Sequence, residues 1–415
     1  MKISMLRSAL FALSVAFVAA CAHRDAPEAA HSGASGAPVT ILISIDGFRP
    51  DYLERGQTPT LSHLAAEGAS AAIRPAFPSI TFPNHYTLVT GQRPDRHGVV
   101  NNRMEDPARP GVTFTLSDRV VGADPIWWAG ANPIWVTAER QGVRTGTMFW
   151  PGSDYELAGV RPTRWRAFDQ TLTDFARVDT LLGWLDLPAV ERPSLFTLYF
   201  DIVDTAGHRF GPDAYETNAA AAQVDAALAR LLAGLEARGV AANLVIVSDH
   251  GMAGISDDRL IDLDAMMPAG AGRVVWDGPL AGVEPINGAD ITGLLGAHAH
   301  GECLRKQDAA QRWGFGANVR VPAIICLAEI GWRYRSAQIP PYRTPSHGAH
   351  GYDPRAPEMA ALFIANGPAF RNGVQLPAFD NVSVYPLLAR LAGVTPEVNE
   401  GNLADTAAAL RQPAQ

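Results

Sequence analysis

Short, unbroken apolar runs that end on carboxylates constrain the fold of this chain more than any other feature. Val39 to Ile45 leads into Asp46, Leu195 to Phe200 leads toward Asp204, and Leu244 to Val247 leads into Asp249 and His250. Ala361 to Ala365 is a further run of the same kind. Unbroken runs, unlike alternating ones, suit strands covered on both faces of a sheet. Helical patterns separate them. Thr58-Pro59 reads as an N-cap and first-turn pair, with Leu61 and Leu64 apolar and Gly68 as the stop. From Ala219 to Arg238, Val224, Leu228, Leu231, Leu232 and Leu235 recur at helical spacing, and Gly239 closes the run. The alternation predicts an α/β fold with a doubly wound, mainly parallel sheet, which places its sites at strand ends. Between about residues 255 and 345 the rhythm breaks and Gly and Pro are frequent, so an insertion subdomain or lid is expected there.

The N-terminus stands outside that pattern. Lys2 and Arg7 precede a run from Ala9 to Ala20 that is apolar or small apart from Ser14, and it is short for a membrane span. Residues 1–20 therefore read as a signal peptide. Val18-Ala19-Ala20-Cys21 resembles a bacterial lipoprotein cleavage box, which makes Cys21 the expected lipid-bearing residue and 21–37 a flexible tether. The expected location is periplasmic or on the outer membrane, after secretion across the inner membrane, with 38–405 as the catalytic domain. Cys303 and Cys326 remain. An oxidising compartment permits them to pair, and two separate buried thiols is the other reading.

The formal net charge of −8 disfavours a nucleic-acid duplex as partner, because duplex binding needs a basic surface. A small phosphate substrate is compatible, since bound metal inverts the local sign of an acidic site. Nothing here speaks to oligomeric state.

Three clusters of carboxylate and imidazole carry the chemistry. Asp204 and His208 lie four apart, Asp249 and His250 follow a strand, and His347-Gly348-Ala349-His350 supplies further imidazoles; Asp46 follows another strand. One Asp-His pair is weak evidence, because buried ion pairs and turns produce it often. Several clusters at strand ends match the oxygen and nitrogen ligands of a catalytic zinc centre.

Five ordered segments, Ser44-Ile45-Asp46-Gly47-Phe48-Arg49, Pro78-Ser79-Ile80-Thr81-Phe82-Pro83-Asn84-His85, Asp204 to Pro212, Ser248-Asp249-His250-Gly251-Met252 and His350-Gly351-Tyr352-Asp353, resemble the nucleotide pyrophosphatase/phosphodiesterase family. That family belongs to the alkaline phosphatase superfamily, and the likeness runs from about residue 39 to 395. The resemblance implies an alkaline phosphatase-type sheet and two Zn2+ ions. Asp46, Thr81, Asp249 and His250 match the ligands of one ion, and Asp204, His208 and His350 those of the other. Three carboxylates against two divalent cations leave the site net positive for an anionic phosphate. Thr81 is then the nucleophile, activated by coordination, and becomes phosphorylated or nucleotidylated. A helix is expected to start near it and end at Thr90-Gly91. Asn102 matches a family asparagine that donates to a phosphate oxygen; on composition alone it reads as a turn residue. Phe82 matches a position that stacks on a nucleobase, with Phe168 the better match for the opposing ring and Trp165 the other candidate. His85 and His97 read as supporting residues, and His298, His300 and His347 as unrelated to the ions.

Rival chemistries are weighed on the same residues. A sulfatase needs Cys or Ser in a Cys/Ser-x-Pro-x-Arg setting, which Thr81-Phe82-Pro83-Asn84 lacks. A phosphomonoesterase shares the ligands but needs a cation beside the nucleophile, where this chain offers Phe82 and Asn102, with Arg74 and Arg103 further off. A lipid head-group diester stays open as substrate. A surface lipoprotein that binds without catalysis would not need Thr81 and a complete ligand set.

Overall fold

A computed structural model describes residues 36–340 and 345–411. The signal peptide, Cys21 and nearly all of the tether lie outside the described residues.

The strand Val39–Ile45 sits at the centre of a nine-stranded sheet, parallel to Leu195–Phe200 on one side and to Ala242–Val247 on the other. Beyond Leu195–Phe200 come Thr145–Met148 and Arg164–Trp165, also parallel. Past Ala242–Val247 the sheet turns mixed, because Ala361–Asn366 runs antiparallel to both Ala242–Val247 and Ala69–Arg74. Burial explains the unbroken apolar runs. Ile41, Ile43 and Ile45 pack on one face with Leu181, Leu228 and Leu231. Leu42, Val245 and Val247 pack on the other face with Tyr86, Tyr385 and Leu388. A strand buried on both sides is mostly apolar, and the polar exceptions are small hydroxyls such as Ser44, which bonds His85.

The helix Pro59–Ala66 begins after Thr58 as predicted, yet Thr58 makes no side-chain capping bond. Its free N–H groups are met from a neighbour: Asp225 of the helix Tyr215–Ala237 accepts from Thr60 N and Leu61 N at 3.0 and 2.7 Å. A carboxylate at a helix N-terminus satisfies orphan donors and complements the dipole.

The irregular stretch forms a five-stranded antiparallel sheet in the order Gly272–Trp276, Leu280–Pro285, Ile324–Ala328, Gly301–Arg305, Gly296–His298. Cys303 lies directly opposite Cys326 in this sheet, and the two form a disulfide. The sheet is pinned beside the main domain. Phe77 stacks on Trp313 at 4.8 Å, Asp95 accepts from the backbone of Gly316, Ala317 and Asn318, and buried Arg320 donates to Asp106 and to the carbonyls of Gly98, Ile126 and Trp127.

Candidate active site

All of the chemistry gathers at the C-terminal edge of the parallel strands, where a doubly wound sheet leaves a crevice. Asp46 follows Val39–Ile45, and Asp249 and His250 follow Ala242–Val247. Asp204 and His208 sit one turn apart on the helix Ile202–Phe210, and His350 follows the short strand Gly348–Ala349. Gly47 lets these segments approach: its φ is +69°, and a Cβ there would press on Asp204 at 3.1 Å.

Thr81 is the first residue of the helix Thr81–Thr90, which ends at Gly91 with φ +65° as the sequence suggested. Pro83 sits in the first turn, where a missing N–H costs nothing. No residue at the N-cap caps the helix. Asn102 supplies the missing acceptor, taking the Phe82 N–H on its Oδ1 at 2.9 Å. Because a backbone N–H only donates, this bond fixes the amide orientation and leaves Asn102 Nδ2 as a free-standing donor beside Thr81.

The ligand candidates form two touching groups. His208 Nε2 stands 3.1 Å from His350 Nε2 and 3.5 Å from Asp204 Oδ1, which is 3.7 Å from His350 Nε2. His250 Nε2 stands 3.2 Å from Thr81 Oγ1, 3.5 Å from Asp46 Oδ1 and 3.0 Å from Asp249 Oδ2. The His250 and His350 rings stack at 3.6 Å, so His250 faces both groups.

Two observations test whether this set fits metal ions. The first is tautomeric. His208, His250 and His350 each direct Nδ1 at a backbone carbonyl, of Gly348, Gly251 and Ser79, at 2.8 to 2.9 Å. Each Nδ1 therefore carries the proton, and each Nε2 presents a lone pair inward. Two such lone pairs 3.1 Å apart repel unless a cation stands between them. The second is an absence of partners. Among the described residues, Asp46 Oδ1, Asp204 Oδ1 and Asp249 Oδ2 are buried without a hydrogen bond, a costly state unless a cation compensates them. The donor set fits divalent metal.

Electrostatics agree. Burial pushes the Asp46 carboxyl well above its usual range, and Asp249 and Asp204 add to the effect. Burial also raises Asp204, against the pull of His208 and His250. Asp249 is held well below the usual range, since His250 and His85 together outweigh its burial. Burial, reinforced by His250 and His208, drives His350 well below an ordinary imidazole. One carboxylate is thus held ionised while two others and an imidazole are pushed toward neutral, a mismatch that cations resolve.

His85 lies against Asp46 and Asp249 but has no nitrogen to spare. Its Nδ1 approaches Thr81 O at 2.9 Å and its Nε2 meets Ser44 Oγ at 2.8 Å. The supporting role read from the sequence fits this geometry. His97 bonds Thr87 and the Val99 N–H, His347 is exposed, and His300 stacks on Trp332 far from the cluster.

A cavity of about 610 Å3 opens from Thr81 and its floor carries Asp46, Asp204, His208 and His350. Phe82 forms one wall with Phe114 and Trp128, at ring separations of 6.0 and 6.3 Å. Phe168 stands in the cavity against Phe149 and Tyr199, whereas Trp165 lies outside it beneath the Arg161 guanidinium. No lining residue comes from 255–345 among the described residues. Sequence reading missed Arg119, Tyr155 and Tyr199. Arg119 is the only Lys or Arg among the described lining residues, and it donates to the Phe168 carbonyl. Arg74 pairs instead with Asp380, and Arg103 is exposed. Tyr199 had one signal: it is the polar-tipped residue in an apolar strand, in register with Ser44 beside Asp46.

Comparison with known proteins extends this picture. A family profile described as type I phosphodiesterase / nucleotide pyrophosphatase matches residues 40–353. A pyrophosphatase/phosphodiesterase of Schizosaccharomyces pombe is 39% identical over 381 residues, covering 87% of this chain and 78% of that protein. The bis(5'-adenosyl)-triphosphatase enpp4 of Xenopus laevis is 34% identical over 378 residues, covering 90% of this chain and 81% of the relative. Human ectonucleotide pyrophosphatase/phosphodiesterase 5 superposes with a TM-score of 0.85 at 32% identity, over 90% of this chain and all of that one. An inactive threonine-to-alanine variant of the murine protein 5, solved in complex with AMP, superposes with a TM-score of 0.84 at 31% identity, over 91% of this chain and all of that one.

Proposed function

Because the chain belongs to the type I phosphodiesterase / nucleotide pyrophosphatase family, and so is a hydrolase of phosphodiesters, we propose that it is a two-zinc enzyme that cleaves nucleotide phosphodiester or pyrophosphate bonds through a covalent Thr81 ester. The observation that carries this reading is Thr81 Oγ1 at a helix N-terminus, 3.2 Å from His250 Nε2 and beside a set of inward-facing, unpartnered ligand atoms.

Asp46, Asp249, His250 and Thr81 would hold one Zn2+, and Asp204, His208 and His350 the other. Bound there, the ions supply positive charge for a phosphate and make the Thr81 alkoxide accessible near neutral pH. The rest falls to the chain. Thr81 Oγ attacks phosphorus, the bond from phosphorus to the leaving oxygen breaks, and the nucleotidyl group is left on Thr81. Water then attacks the same phosphorus, and Thr81 leaves as the free hydroxyl. Asn102 Nδ2 donates to a phosphoryl oxygen as charge builds on it. Phe82 and Phe168 offer faces to a nucleobase across the cavity. The AMP complex of the murine relative supports a nucleotide in such a cavity, and its inactivating loss of a threonine supports a threonine nucleophile.

A diester is favoured over a monoester by what surrounds the nucleophile. A monoester dianion needs more positive charge at its free oxygens. Arg74 and Arg103 do not line the cavity, Asn102 is neutral, and Arg119, which does line it, is engaged by the Phe168 carbonyl and is not among the partners of Thr81. An aryl ester of a nucleoside monophosphate should therefore show a much higher kcat/KM than the aryl phosphate. Phe82→Ala should slow the nucleotide ester more than a methyl aryl diester, since it deletes binding to a remote group. A preference for the monoester would overturn the diesterase reading.

A further inference from the structure

We propose that Tyr199 is a positioning residue for the metal site, selecting which oxygen of Asp46 is offered to an ion; this rests on the two-zinc reading above. The Tyr199 hydroxyl donates to Asp46 Oδ2 at 2.6 Å, a short, charge-assisted bond. The other oxygen, Oδ1, has no hydrogen-bond partner among the described residues and faces His250 Nε2 at 3.5 Å. Without the phenol, the buried carboxylate has no donor of its own and its two oxygens become interchangeable by rotation about χ2.

The phenol is itself held in place. Tyr199 pairs with Ser44 across the parallel strands, so its Cα position is fixed by the sheet. Its ring meets His85 edge-on at 5.1 Å and Phe168 at 5.9 Å. His85 in turn bonds Ser44 Oγ and the Thr81 carbonyl. One ring therefore touches the metal-side support, through His85, and the wall of the substrate cavity, through Phe168. Hydrogen-bond partners behind metal ligands typically change affinity by about 10- to 100-fold.

Tyr199→Phe tests this, because it removes one oxygen and keeps the ring contacts. Zinc affinity, measured by competition with a chromophoric chelator, should fall by about 10- to 100-fold, with the melting temperature of the metal-free protein close to wild type. Tyr385→Phe is the control: it removes another buried phenol, bonded to Thr137 and to the Glu397 N–H, and should leave zinc affinity unchanged. If metal-free Tyr199→Phe is too unstable to isolate, zinc release from protein purified in the loaded form gives the same answer, and should be faster by a similar factor. Wild-type affinity and release in Tyr199→Phe, or an equal loss in Tyr385→Phe, would overturn the positioning role. Wild-type protein that takes up no zinc would overturn the functional reading beneath it, and is seen before any variant is made.

Discussion

Thr81 is placed by backbone and neighbours more than by its own side chain. It opens a helix whose dipole adds modest positive potential at the N-terminus, and its carbonyl is tied to His85. Its hydroxyl reaches His250. Thr81→Ala deletes the hydroxyl proposed to attack phosphorus and one methyl group, and leaves the Phe82–Asn102 bond intact, so the fold should survive. Diesterase turnover should fall by about a thousandfold or more, as when a covalent nucleophile is removed. Turnover near wild type in metal-replete, normally folded Thr81→Ala would show that another group attacks phosphorus. At this scale the sequence was informative where a residue type has few uses. Asp204 and His208 one turn apart, and Asp249-His250 at a strand end, are each common alone, but gathered at several strand ends they have few readings besides ligands. Asn102 needed the structure, because its value lies in which way its amide points. Phe168 was already the better match of the two candidate rings, and it, not Trp165, lines the cavity.

At the scale of elements, the strand Val39–Ile45 and its parallel neighbours were legible because burial on both faces makes them predominantly apolar. The cap on Pro59–Ala66 was not, since its acceptor is Asp225, far along the chain. The antiparallel insertion was equally hidden: its strands are short and Gly-rich, and pairing them depends on partners and not on local pattern. The helix Thr81–Thr90 carries a further consequence. His97 is buried against it, bonding Thr87, and burial lowers its pKa to about 3 from an ordinary 6.5. The unfolded chain therefore binds a proton that the folded one refuses. The resulting stability is fully present above about pH 6.5 and is lost as pH falls from there toward 3. His97→Gln keeps a donor and an acceptor without a titrating ring. Its melting temperature should drop less than that of wild type between pH 7 and pH 5, whatever its absolute value. Equal drops in the two proteins would mean that His97 takes up a proton without unfolding.

For the whole molecule, the deciding quantity is how strongly the fold and the ions depend on each other. The metal-free site keeps Asp46 and Asp204 pushed up, Asp249 pulled down and His350 pushed down within one buried cluster. These groups come from segments spread between residues 46 and 350, so an ion held by them ties the sheet edge together across the chain. A ligand that binds only the folded state stabilises it by RT ln(1 + [L]/Kd), about 2.7 kcal/mol at a hundredfold excess over Kd. Zinc added to chelator-treated protein should therefore raise the melting temperature by several degrees and restore diesterase activity in parallel. Magnesium at the same concentration should do neither well, because three Nε2 lone pairs suit zinc, whereas magnesium prefers an all-oxygen octahedron. The two readouts check each other. Stabilisation without activity would place the zinc elsewhere in the fold, and full recovery of both with magnesium would remove zinc as the working ion while leaving the ligand cluster as its site.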